Sequence, residues 1–168
     1  FDGQPIYLDG QEPDEAEIIR RRDTYHAPYH AAIAAELARV KAVHGFAILY
    51  DCHSIRGHIP FLFDGILPDF NIGTNEGMTC EPALESAVRE ICAGAEGYTS
   101  ILNGRFKGGW TTRHYGRPNE GQHAIQMELA QSTYMIENPP WDYAPDKAEA
   151  LRKHLKSILE TLSDWSPS

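Results

Sequence analysis

Phe46-Ala-Ile-Leu-Tyr50, running on into Asp51-Cys-His-Ser-Ile-Arg56, decides the fold of this chain. An apolar run directly after Gly45 predicts a buried strand, and the polar residues behind it mark where that strand ends. Upstream, Tyr29, Ile33, Leu37 and Val40 recur every three or four residues. That spacing predicts an amphipathic helix stopping near His44-Gly45. An earlier helical pattern opens at Asp14, Glu15 and Glu17, acidic residues suited to the first turn of a helix. Pro28 is expected to interrupt or kink it. Downstream of the strand, Asp51 to Asn75 reads as one long loop, punctuated by Gly57, Pro60, Gly65, Pro68 and Gly73. Its Phe61, Leu62, Phe63, Ile66, Leu67 and Phe70 argue against disorder.

The same pattern continues to the C-terminus. Pro82 fits the first turn of a helix carrying Leu84, Val88, Ile91 and Cys92. Tyr98 to Leu102 and His123 to Ala130 read as two further strands. Pro139-Pro140 breaks the chain, and a last helix runs from about Pro145 through Leu151, Leu155, Ile158 and Leu162. Helices alternating with strands predict an α/β fold, a mixed and mostly parallel sheet flanked by helices, in one domain over residues 1–168. A chain of 168 residues is long enough for one sizeable core. Its net charge of −9 argues against nucleic acid or an anionic membrane surface as the main partner. No apolar stretch is long enough to span a bilayer. Cys52, Cys80 and Cys92 are odd in number and form no C-x-x-C pair, which suits a reduced, cytoplasmic setting.

Three features carry chemistry. Asn103-Gly-Arg-Phe-Lys-Gly-Gly-Trp-Thr-Thr-Arg-His-Tyr-Gly116 concentrates Arg105, Lys107, Arg113 and His114 in an otherwise acidic protein. Arginine forks match carboxylates and glycine allows close backbone approach, so the run reads as a grip for a small anion or as a solvated charged hairpin. His53 stands where the first strand ends, the usual position of ligands in α/β sheets. It reads as a metal ligand with Asp51 to orient it, or as a hydrogen-bonded loop histidine. In His123-Ala-Ile-Gln-Met-Glu-Leu-Ala130, period two puts Ile125, Met127 and Leu129 on one face and Gln126 with Glu128 on the other. A carboxylate inside such a strand is costly to bury unless paired or facing a ligand. Glu128 is therefore a candidate general base or metal ligand, with a structural ion pair as the alternative. There is no nucleophile elbow, no Walker loop and no dinucleotide fingerprint. A catalytic zinc normally takes three protein ligands and water, and no H-E-x-x-H or comparable pair is present.

Taken together, Asp51-Cys-His-Ser-Ile-Arg56, Ile59-Pro-Phe-Leu-Phe-Asp-Gly65, Leu67-Pro-Asp-Phe-Asn-Ile-Gly-Thr74 and Asn103-Gly-Arg-Phe-Lys-Gly-Gly109 resemble the N-formylglutamate amidohydrolase (deformylase) family. Thr112-Arg-His-Tyr-Gly116 and His123-Ala-Ile-Gln-Met-Glu-Leu-Ala-Gln131 match it too, in the family's order and over nearly the whole chain. The resemblance implies metal-dependent hydrolysis of N-formyl-L-glutamate to formate and L-glutamate, the last step of a histidine-degradation route. It implies a fold similar to the zinc carboxypeptidase-like phosphorylase/hydrolase architecture, with His53 a zinc ligand and Glu128 the catalytic base. Arg113, Arg105, Arg56 and Asn103 become the candidates for holding the substrate's carboxylates.

The resemblance also implies a further N-terminal segment, including a His-Ser-Gly run expected to supply other zinc ligands, so the chain reads as a C-terminal portion of such a domain. Two expectations follow. The chain alone neither holds stoichiometric zinc nor turns over substrate, and a sheet without its first strands exposes an edge that could pair with another copy. The alternatives are a related acyl-amino-acid hydrolase with a different acyl group, and a non-catalytic module that binds acidic amino acids.

Overall fold

Asp14 starts the first helix by accepting a hydrogen bond from the Glu17 amide (2.8 Å). In this structure, a computed structural model describing residues 4–167, the helical chain that begins with α1 (Glu15–Arg21) runs on through Pro28. A π-helical turn over Arg22–His26 joins it to α2 (Ala27–His44). Pro28 needs no i→i−4 partner for an N–H it lacks, and the wide turn just before it absorbs the proline without a break. The expected interruption takes the form of this π-helical turn, with no break in the helical chain. Gly45, with φ 83°, closes α2 where predicted. The sequence also predicts a turn-rich stretch over Phe1 to Pro13, and its Asp2-Gly3 lies outside the described residues.

The strand after Gly45 is longer than its apolar run. β1 spans Ala47–Ile55 and so includes Asp51, Cys52 and His53. The rest of the expected loop contains a second strand, β2 (Phe70–Gly73), buried throughout. Then come α3 (Pro82–Ala93), β3 (Ser100–Leu102), α4 (Trp110–Tyr115), β4 (Gln122–Ala130) and α5 (Pro145–Asp164). The strand order is β1-β4-β2-β3. β1 runs parallel to β4 and β2 parallel to β3, while β4 and β2 are antiparallel. This is the expected mixed, mostly parallel α/β sheet.

Register sorts the side chains into two faces. Tyr50 pairs with Ile125 and Phe70 with Leu129, and that face is covered by α3 and α5. Phe70, Ile72, Leu84, Val88, Cys92, Ile125, Met127, Leu151 and Ile158 form its core, packed out of contact with water. On the opposite face, α2 sets Leu37 against Ala47 and Tyr115, with Ile33, Val40 and Leu49 around them. Farther along β1, beyond the reach of α2, the residues on this second face turn polar.

Candidate active site

Two facts of register build the site. His53 lies beside Glu128 and Asp51 beside Gln126, because β1 and β4 run parallel and in step. On the other side of β4, Asn71 and Gly73 lie beside Glu128 and Gln126. Asn71 is wholly buried and spends its amide on Pro68 O (2.7 Å) and Glu128 O (3.0 Å). It fixes the backbone of the strand from which the Glu128 side chain projects.

The polar groups form a chain. His53 Nε2 donates to Asp51 Oδ1 (2.9 Å), and the Thr112 hydroxyl donates to Asp51 Oδ2 (3.1 Å). The Gly109 amide donates to Gln126 Oε1 (2.6 Å), and Gln126 Nε2 reaches Glu128 Oε2 (3.4 Å). Asp51 thus orients the His53 ring and is itself anchored from α4. Glu128 is 6% exposed. Burial pushes its carboxyl up from the ordinary range; the charge of His53 opposes this, Asp51 adds to it, and the Gln126 hydrogen bond opposes it. A carboxyl raised in this way holds its proton more firmly than an ordinary carboxylate, the direction that suits a general base.

His53 and Glu128 open onto a cavity of ≈ 550 Å³, whose other walls include Arg56, Ile59, Met135 and Trp141. That size suits a small ligand. Arg56 lies over the Trp141 ring, 6.0 Å from its centroid. The loop carrying Arg56 is pinned by Glu137, whose Oε1 accepts from the Gly57 amide (2.7 Å) and the Ser132 amide (2.9 Å). Sequence reasoning missed Glu137, Met135 and Trp141. They follow the last predicted strand in irregular chain, where no periodicity marks them.

The glycine-rich cationic run has a different disposition from the one its composition suggests. Trp110–Tyr115 is helical, and Arg113 is exposed in its last turn. Arg105 is exposed, and Lys107 pairs with Glu76 (2.6 Å). Asn103 braces the fold: its Oδ1 accepts from the Thr74 amide (2.9 Å) and its Nδ2 donates to Thr74 Oγ1 (2.8 Å). The glycines serve a contact between backbones. A Cβ on Gly73 would lie 2.5 Å from the Gly108 nitrogen, so the run crosses the end of β2 with no room for a side chain. Of the four candidates for carboxylate binding, Arg56 is the one that lines the cavity with His53 and Glu128.

Among the described residues, no group of three or more His, Cys, Asp or Glu is placed to hold a metal ion. His53 backed by Asp51 has the form of one ligand with its orienting carboxylate. Together with Glu128 it does not amount to the three-ligand site a catalytic zinc requires. Among the described residues no helix is long and apolar enough to cross a membrane.

Similarity to known proteins gives the family. The family model for N-formylglutamate amidohydrolase matches residues 1–135. N-formylglutamate deformylase from Pseudomonas aeruginosa is 54% identical over 98% of the chain, and that from Pseudomonas putida is 48% identical over the same share. The chain spans 62% of the length of each. The crystal structure of N-formylglutamate amidohydrolase from Ralstonia eutropha JMP134 superposes with a TM-score of 0.75 at 29% identity, covering 86% of this chain and 54% of that one. The shared order of motifs, the sheet and the sequence identity agree: this chain belongs to the N-formylglutamate amidohydrolase family.

Proposed function

We propose that the Asp51–His53–Glu128 face is the catalytic face of an N-formyl-L-glutamate amidohydrolase, releasing formate and L-glutamate. The observation that carries the reading is the 54% identity to a deformylase over 98% of the chain. The geometry adds a raised carboxyl at a cavity mouth, beside an oriented histidine. Glu128 takes a proton from water as its oxygen bonds to the formyl carbon. The C–N bond then breaks, the proton passes to the departing amine, and formate and glutamate leave. Arg56 is placed to hold a substrate carboxylate by a charged hydrogen bond. For zinc, His53 is the donor this chain offers. Three free cysteines, two of them buried, fit a reduced cytoplasmic setting.

The test is formate release by the protein at the full length of its deformylase relatives. Glu128→Gln is expected to lower kcat by about 10²–10⁴-fold, and full turnover by that variant overturns the assignment of the base. Acetyl- and succinyl-glutamate, assayed beside the formyl compound, test the substrate. Faster turnover of either would make the protein a different acyl-amino-acid hydrolase.

A further inference from the structure

One side chain holds the Glu128 carboxyl. Among the described residues, Gln126 is its one hydrogen-bond partner, with Nε2 3.4 Å from Oε2. Both residues are buried, and they stand two apart on β4, so they project from the same face of the sheet.

The Gln126 amide has one orientation. Its oxygen accepts from the Gly109 amide at 2.6 Å, and the Thr112 hydroxyl stands 3.5 Å from the same oxygen. A backbone N–H only donates, so a turned-over side chain would set donor against donor at Gly109. It would also set its oxygen against the Glu128 carboxylate. The carbonyl therefore points to Gly109 and the NH2 to Glu128.

Gly109 is itself fixed. The Asn75 amide donates to Lys107 O (2.6 Å), and Gly108 lies on Gly73 with no room for a side chain between them. Gly73 is the β2 residue beside Gln126. The same stretch of chain supplies the wholly buried Thr112, whose hydroxyl donates to Asp51 Oδ2 (3.1 Å). The glycine-rich run thus aims both arms of the site, the Asp51–His53 arm through Thr112 and the Glu128 arm through Gln126.

A donor fixed at Oε2 makes the two oxygens of Glu128 unequal. A proton on Oε2 would meet the Gln126 N–H, whereas Oε1 has no hydrogen bond among the described residues. We propose that Gln126 is a positioning residue for Glu128: by donating to Oε2 it turns the carboxyl and reserves Oε1 for the proton taken from water. That proton goes to Oε1 as the water oxygen bonds to the formyl carbon, and leaves it for the departing nitrogen as the C–N bond breaks. This role rests on Glu128 being the base.

Gln126→Met, similar in length but with no N–H to give, tests the role in the protein of deformylase length. It is expected to lower kcat on N-formyl-L-glutamate about tenfold, as for loss of a hydrogen bond to a charged group, with KM changed by less than about twofold. Added to Glu128→Gln, it should cost less than about twofold more, because its effect passes through Glu128. A raised KM at unchanged kcat overturns the proposal, and so does the full further loss in the double variant. Full turnover by Glu128→Gln alone is a distinct failure: it removes the base, and the role of Gln126 with it. A second measurement leaves Gln126 in place. The magnetic-resonance signal of its side-chain N–H is expected to move upfield in Glu128→Ala as the charged acceptor is lost. An unmoved signal overturns the donation to Oε2.

Discussion

The two faces of one sheet, built on the same strands, obey different rules. On the face under α3 and α5, the inward residues are apolar apart from His123, buried at the start of β4 against Trp165, and volume decides what fits. On the other face, past the apolar patch under α2, the inward residues Asp51, His53, Gln126 and Glu128 are polar and hydrogen-bond geometry decides. Ile125, Met127 and Leu129 alternate with Gln126 and Glu128, so β4 takes part in both within a single stretch of nine residues. The lesson is a division of labour. The apolar face holds β4 rigid, and that rigidity sets the aim of the Glu128 carboxyl on the other side.

Substitutions should separate the two faces. The largest effect on the packed face is expected from Phe70→Ala, which removes a wholly buried ring and should cost about 3–5 kcal/mol of unfolding free energy in denaturant titration. Glu128→Gln should do the reverse, removing turnover without a loss of that size in stability. Next comes Arg56→Ala, at the cavity wall. Losing a charged hydrogen bond of about 1.5–3 kcal/mol should raise the KM for N-formyl-L-glutamate by roughly tenfold or more. Arg113→Ala, exposed on α4, should change KM less. A larger effect from Arg113 would move the carboxylate site to α4.

A smaller effect distinguishes the faces by pH. The Glu128 carboxyl titrates near 4.5 when unfolded and higher when folded. Between those two values the folded chain holds the extra proton, so stability falls as pH rises through that window. In thermal melts across it, Glu128→Gln should lack this decline. The same raised value puts the acid limb of the pH–activity profile above that of an ordinary carboxylate. The smallest effect belongs to Lys107→Ala: its pair with Glu76 is solvent-exposed, and its loss should leave the denaturant midpoint essentially unchanged.

The sequence made the apolar face more legible than the polar one, for physical reasons. Ile125, Met127 and Leu129 show period two because burial on one side demands it. Glu128 stood out because a carboxylate among them needs a reason to be there. The end of β1 was misread because Asp51 to Ser54 lie on an edge strand with one flank open, where polar residues are not penalised. β2 was missed because Phe70-Asn-Ile-Gly73 is short and carries two residues that usually mark turns. Asn71 spends both bonds of its amide nitrogen inside, while its buried Oδ1 has no partner among the described residues. The charge density around Arg113 was plain to see, but charge density carries no direction. Arg56, single and unremarkable in sequence, is the arginine that faces the cavity.

The wide turn at Arg22–His26 has a consequence for how this helix can vary. The Ala27 amide reaches back to Arg22 O, one residue farther than in a regular helix. Each residue of an α-helix advances the angular phase by about 100°. Deleting one residue in this turn would restore an even ladder, yet it would swing Ile18, Arg20 and Arg21 about a quarter-turn around the axis relative to Leu37. The turn therefore acts as a phase offset, letting the two halves of one continuous rod face different directions, and a single-residue length change there would alter what the outer half presents while leaving the inner half seated.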